Sequence, residues 1–170
     1  MSDDSIIEAA RKDIESGMQW SELKKNHPEF MRRYSGAAKR CIPLFWIRRS
    51  WKTEVFVFVG KGEAFQRAQQ KAAELAPNAY IQNGGNWFDG YEQHKDVIID
   101  NFKGKMMLST FLGILDKWPC SVPIRRGAPL NWAPTRLFII SEKQPEEWYP
   151  NENADRQEAI RRRLDYIEVF

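Results

Sequence analysis

Three polar positions punctuate otherwise apolar runs. Gly60 follows Glu54-Val55-Phe56-Val57-Phe58-Val59, Asp100 follows Val97-Ile98-Ile99, and Ser141-Glu142 ends Leu137-Phe138-Ile139-Ile140. A glycine lets backbone N–H groups approach a phosphate, and an aspartate can hold Mg²⁺ directly or through water. In this order, at the carboxyl ends of strands, the three give the layout of a nucleotide-phosphate site. Each alone has a plainer reading, since an aspartate at a strand end is commonly a turn residue or a helix cap.

A second group is basic. From Met31 to Thr53 no acidic residue occurs, whereas Arg32, Arg33, Lys39, Arg40, Arg48, Arg49 and Lys52 do, interleaved with Tyr34, Phe45, Trp46 and Trp51. Such a stretch can track a phosphate backbone. The competing reading is a solvated helix face followed by a linker.

The elements that would position these groups follow from periodicity. Ile6, Ile7, Ala10 and Ile14 predict a first helix, capped by Ser5 and stopped by Gly17. Pro28 and Glu29 open a second, with Phe30, Tyr34, Ala37 and Cys41 on one face and Pro43 closing it. Residues 1–50 therefore read as a small helical segment. From Thr53 the character changes. Buried parallel strands are predicted at 54–59, 97–100 and 137–141, with short ones at 79–81 and 166–170, and helices at about 64–76, 106–117 and 155–163. The expected fold of residues 51–170 is α/β, a three-layer domain with a mostly parallel sheet.

Composition sets outer bounds. The 170 residues are 42% hydrophobic, 13% aromatic and 29% charged, enough for a core and too aromatic for a disordered chain. No run approaches a membrane span, and the acidic start from Met1 to Ile7 lacks the apolar region of a secretory signal. The 2 cysteines, Cys41 and Cys120, form no CxxC pair, and His27 and His94 complete the short roster of soft metal ligands. A disulfide framework or a Cys/His metal site is not expected, and a reducing intracellular setting is. The net charge of +3 says less than its distribution.

Several strings together resemble circovirus-type replication-associated proteins. They are Trp51-Lys52-Thr53-Glu54-Val55, Trp87-Phe88-Asp89-Gly90-Tyr91, Val97-Ile98-Ile99-Asp100 with Phe102, Trp118-Pro119, Arg125-Arg126-Gly127-Ala128, Ile140-Ser141, Trp148-Tyr149 and Ala159-Ile160-Arg161-Arg162-Arg163. Pro28-Glu29-Phe30 with Arg33-Tyr34-Ser35-Gly36 resembles their helical oligomerisation segment. The resemblance implies a P-loop-type ATPase core of the superfamily 3 helicase kind at residues 51–170. It also implies a hexameric ring on single-stranded nucleic acid, DNA ahead of RNA, a host-nuclear location and no membrane. The family's nicking nuclease uses a His-hydrophobe-His site and a YxxK tyrosine, and neither pattern occurs in this sequence, so no nicking is expected.

The resemblance also exposes replacements. The family carries GxxxxGK[S/T] after the first strand, where the lysine neutralises phosphate charge and the hydroxyl holds Mg²⁺. Here the string is Gly60-Lys61-Gly62-Glu63-Ala64-Phe65-Gln66-Arg67. If Gly60 opens the motif, Gln66 and Arg67 take the lysine and hydroxyl positions. If Gly60 and Gly62 are its last glycines, Glu63 takes the lysine position. Asn101 replaces the acid after the metal-binding Asp100, and Glu142 replaces the sensor asparagine, where it would repel a γ-phosphate. Loss of tight binding of ATP and Mg²⁺ is expected.

What the resemblance implies to be the parts facing nucleic acid and neighbouring subunits is kept. Arg125, Arg126 and Gly127 match a basic hairpin that enters the ring channel, with Trp132 open to stacking or burial. Arg162 and Arg163 match a pair near an arginine-finger position, against a plain ion pair to Glu158 or Asp165. The 87–91 string reads as core and turn, with Asp89 a remote metal candidate. Two functions remain: an ATPase-deficient oligomeric module that holds single-stranded nucleic acid, or an active ATP-dependent helicase of rolling-circle replication.

Overall fold

The computed structural model describes residues 2–170; the side chains of Cys41, Leu44 and Phe45, two of them named above, lie outside the described residues. The chain divides into two units, one ending at Ile47 and one running Arg48–Phe170.

The first unit is helical. Helix α1 (Asp3–Glu15) buries Ile6, Ala10 and Ile14, spaced to share one face, and carries Asp3 and Asp4 in its first turn, where the helix dipole favours them. It ends in a Schellman motif: Gly17 N–H donates to Ile14 C=O and Met18 N–H to Asp13 C=O, both at 3.0 Å, with Gly17 at φ 83°. Helix α2 (Trp20–Asn26) was not foreseen, because its 7 residues offer one buried apolar anchor, Leu23. Helix α3 (Pro28–Cys41) starts with Pro28 in its first turn, and the 3-10 turn Ile42–Phe45 follows. Its expected apolar face is turned by one residue: Ala37 is exposed, while Phe30, Met31, Ala38 and then Ile42 are buried. The cause is that α3 packs on both α1 and α2, so its inward stripe lies between two neighbours.

The second unit is the expected three-layer α/β domain. Strands β1 (Glu54–Val59), β2 (Tyr80–Gln82), β3 (Asp96–Ile99), β6 (Arg136–Ser141) and β7 (Tyr166–Val169) form one parallel sheet in the order β2-β3-β6-β1-β7. Helix α4 (Glu63–Leu75) joins β1 to β2, and helix α5 (Leu108–Leu115) lies between β3 and β6. The hairpin β4 (Ser121–Val122) and β5 (Leu130–Asn131) follows α5, and helix α6 (Ala154–Arg161) precedes β7. Ala68, Ala72 and Ala76 bring α4 close onto Phe58, Ile98, Phe138 and Ile140. Alternate strand residues, Val57, Val97, Ile99, Leu137 and Ile139, are buried toward the opposite face.

The chain leaves β1 toward one edge and leaves β6 toward the other, so the neighbouring ends of β1 and β6 form the switch point where α/β sheets place ligands. Beyond β3, Gly104 admits no side chain: at φ 73° its Cβ would lie 1.7 Å from Trp148 C=O. Strand β7 is the outer edge beside β1, exposed along its length.

Candidate nucleic-acid interface

The turn after β1 is tight. Only Gly60, Lys61 and Gly62 separate Val59 from the first residue of α4. A Cβ on Gly60 would lie 2.7 Å from Ala64 C and O, and Gly60 N–H donates to Ser141 C=O at 3.1 Å, so glycine is needed where β1 meets β6. Gly62, at φ 57°, occupies the N-cap of α4 without a side-chain cap. Lys61 is exposed in the turn, while Gln66 and Arg67 sit exposed within α4. The helix thus begins at Glu63, immediately after the second glycine.

Asp100 stands at the end of β3. Both its carboxylate oxygens accept from Gln69 Nε2 of α4, at 3.0 Å each. Gln69 carries no sequence signal beyond its place in a helical run, and it was missed. Asn101 adopts a left-handed conformation, φ 53°, which asparagine tolerates better than most residues. Ser141 is a buried hub: its Oγ donates to Phe102 C=O at 2.7 Å and accepts from Trp148 Nε1 and Lys143 N–H, both at 3.0 Å. Glu142 follows it, exposed. Among the described residues no group of three or more His, Cys, Asp and Glu side chains is arranged to hold a metal ion.

The basic hairpin is present. Ser121 pairs with Asn131 and Val122 with Leu130, and the connecting loop exposes Arg125 and Arg126. Gly127 turns that loop at φ 135°, where a Cβ would lie 2.9 Å from Ile124 Cδ1. Arg125 N–H donates to Asp89 Oδ1 at 3.2 Å, and its Nε lies 4.0 Å from Asp89 Oδ2. Asp89 therefore anchors the loop. Trp132 is fully buried, with Nε1 donating to Ile114 C=O at 3.0 Å, and is not open to stacking with a base. Phe88 and Tyr91 pack on it at ring distances of 5.4 and 5.1 Å. Tyr91 Oη accepts from Ala133 N–H at 3.1 Å, and burial pushes its hydroxyl pKa up. The 87–91 string is core and turn, as read from the sequence, except that Trp87 is 45% exposed.

Arg163 finds a different partner from the two expected. Its Nε and Nη2 donate to Asp116 Oδ2 at 3.0 and 2.7 Å. Glu158 is not its partner, and Asp165 pairs with Lys52 instead. Burial pushes the Asp116 carboxyl up, but the Lys117 N–H and the Arg163 guanidinium outweigh it and hold the pKa below its ordinary value. Arg162 is exposed beside it.

The basic stretch is largely consumed. Arg32 and Arg33 pair with Glu29, and Arg33 also with Asp3. Lys39 sits 5.3 Å over the Trp20 ring. Arg49 is buried at 1% exposure, its guanidinium donating to the carbonyls of Gly113, Ile114 and Trp118 and to Thr53 Oγ1 at 2.6–3.2 Å. It closes the carboxyl end of α5, whose last carbonyls lack helical partners. Five of the seven cations, Lys52 with its Asp165 partner included, thus have protein partners, and a continuous phosphate track does not form here.

No protein-family profile matches the chain. It is 30% identical over 150 residues to the replication-associated protein of beak and feather disease virus, covering 88% of this chain and 50% of that protein. It is 27% identical over 153 residues to that of porcine circovirus 2, covering 89% and 48%. It is 38% identical over 85 residues to that of human associated cyclovirus 1, covering 46% and 30%. The chain spans about half the length of the curated relatives that it matches most fully. No helix among the described residues is long and apolar enough to cross a membrane. With a parallel α/β core, a basic hairpin and these relatives, the chain is a homologue of the circovirus-type replication-associated proteins.

Proposed function

We propose that this chain is an ATPase-deficient, helicase-like module of viral replication that self-associates and holds single-stranded nucleic acid through the β4–β5 hairpin. The observation that carries the first part is the three-residue turn between β1 and α4. A phosphate-cradling loop of the GxxxxGK[S/T] kind needs several free backbone N–H groups around the anion. Gly60-Lys61-Gly62 is too short to wrap one, and Glu63 opens the helix with negative charge. The carboxylate that would face Mg²⁺ is held by Gln69. These residues do not fit ATP with Mg²⁺, and no hydrolytic step is assigned to them.

The second part rests on Arg125 and Arg126, exposed on a hairpin whose base is locked by buried Trp132 and whose loop is tied to Asp89. Arginines on an exposed loop grip phosphates with little sequence preference. Self-association, with a hexameric ring as the family-type arrangement, is assigned to the helical first unit, and nuclear residence is assigned on the family likeness alone.

The test is phosphate release with ATP, Mg²⁺ and single-stranded DNA, run beside fluorescence anisotropy with a labelled oligodeoxythymidylate. Oligonucleotide binding without turnover is expected. Turnover near ~1 per second, within the ordinary enzyme range, would replace this reading with that of an active helicase. Light scattering at tens of micromolar, about where a weak interface populates, reads the oligomer. Larger species are expected to disappear when residues 1–47 are removed.

A further inference from the structure

Beyond the ends of β2 and β3, the turn after β2 and the segment after β3 enclose a hollow of about 230 Å³, lined by Asn83, Gly84, Gly85, Asn101, Lys103 and Lys105. No acidic side chain lines it. Its walls are built rather than loose. A Cβ on Gly84 would lie 3.0 Å from Asn101 C=O, so the two segments are in close backbone contact. Gly84 N–H donates to Gln82 Oε1 at 2.7 Å and Gly85 N–H to Asn83 Oδ1 at 3.2 Å, which shapes the turn. On the other wall, Gly104 is pressed against Trp148 C=O, so the backbone that carries Lys103 and Lys105 is held on both sides of one immovable glycine.

The chemistry of the hollow is one-sided. Both lysines are exposed, and neither has a hydrogen-bonded or ion-paired partner among the described residues. This contrasts with Arg32, Arg33, Lys52, Lys71, Arg136 and Arg163, each of which is paired. The Asn83 carbonyl is used within its own turn, which leaves its NH₂ as a donor. Two ammonium groups and carboxamide donors without a facing carboxylate match an anion with several acceptor oxygens, which among common ligands is a phosphate. The hollow adjoins a second one of about 300 Å³, with which it shares Asn83 and Gly85 and which is lined further by Tyr80 and Trp87, by Asp89 and by Arg125 of the hairpin loop.

We propose that the Lys103/Lys105 hollow holds a backbone phosphate of a single strand whose adjacent stretch is gripped by Arg125. The proposal rests on the strand-binding reading above and extends it from the hairpin across the turn after β2 to the segment after β3. A phosphodiester fits better than a free nucleotide, because the lysine hollow itself includes no aromatic wall for a base, while Tyr80 and Trp87 line the adjoining hollow toward the hairpin, where a neighbouring residue of the strand would lie.

The experiment measures oligodeoxythymidylate binding by anisotropy across a salt series, for the parent chain, for Lys103→Ala with Lys105→Ala, and for Lys103→Arg with Lys105→Arg. The alanine pair is expected to weaken binding several-fold and to make the log–log salt slope shallower by about one unit, while the arginine pair keeps the parent slope. Thermal midpoints of all three are expected to agree, since neither ammonium holds a protein partner. An unchanged slope in the alanine pair, with the parent binding, overturns this site and leaves the hairpin reading intact. A parent that binds no oligonucleotide overturns the strand-binding reading itself. In that event, inorganic phosphate binding by calorimetry that is lost in the alanine pair would reassign the hollow to a free anion and overturn its assignment to a strand.

Discussion

Gln69 Nε2 donates to both carboxylate oxygens of Asp100, at 3.0 Å each, so the acid at the end of β3 is satisfied by its own chain. An amide dipole in this place does part of what a cation would do for a carboxylate, at no cost in ligand binding. The bond also ties α4 to the sheet at the end of β3.

Writing the motif residues back by substitution is therefore expected to fail. Phe65→Gly, Gln66→Lys and Arg67→Ser fall inside α4 and do not lengthen the turn before it. The glycine costs about 1 kcal/mol in a helix interior, and loss of the Phe65 ring from the core cluster adds about 2 kcal/mol. Denaturant midpoints check the stability loss, and malachite-green assays check that no ATP turnover appears. Restored turnover would mean that the first turns of α4 remodel around phosphate.

Removing the hairpin cations isolates their role. Arg125→Ala with Arg126→Ala is expected to weaken oligonucleotide binding and to make the salt slope shallower by about one to two units. Both side chains are exposed, so stability should move by no more than about 0.5 kcal/mol. An unaltered slope would shift strand contact away from the hairpin.

The Asp116–Arg163 pair sets an acid limit. The folded carboxyl pKa is depressed, so its contribution to stability is complete above the ordinary carboxylate value of about 4 and is lost as pH falls through the folded value. Arg163→Gln should be less stable than the parent at neutral pH, and the gap should narrow below about pH 4. Urea melts across this range measure it; a gap independent of pH would assign the loss to packing alone.

His94 sets a second limit, at milder pH. Burial lowers its pKa, and its Nδ1 accepts from Glu92 N–H at 3.3 Å, which fits a neutral ring. A depressed histidine binds its proton less readily in the folded state, so stability is full above about pH 6.5 and declines as pH falls below it. His94→Asn keeps an acceptor without the titration. It is expected to flatten the decline between about pH 7 and 5, as read by thermal midpoints.

Arg49 tests the buried guanidinium. Arg49→Met leaves the carbonyls of Gly113, Ile114 and Trp118 without these donors, a loss of about 3 kcal/mol or more. Chemical denaturation reads it directly, and a change under about 1 kcal/mol would mean that water replaces the arginine.

The sheet was legible because its central strands are buried on both faces and read as continuous apolar runs, as at 54–59 and 137–141. Helix α2 was not, since one buried leucine gives no periodicity. The α4 start was ambiguous because Gly62 caps it without a side chain, so no capping residue marks where loop becomes helix. Charges mislead most. Arg49 reads as solvent-facing from its neighbours, and only the fold reveals the carbonyls that converge on it. The same holds for Arg163, whose partner Asp116 is distant in sequence.

Strand β7 leaves Tyr166, Ile167 and Val169 at 55%, 48% and 62% exposure on an open flank of the sheet, with Glu168 the strand's one charge and already engaged by Lys71. Such a flank can recruit any extended peptide, its own copies included. Concentrated samples are therefore prone to slow, non-specific clumping that is unrelated to ordered assembly. Ile167→Lys should lengthen shelf life at high concentration.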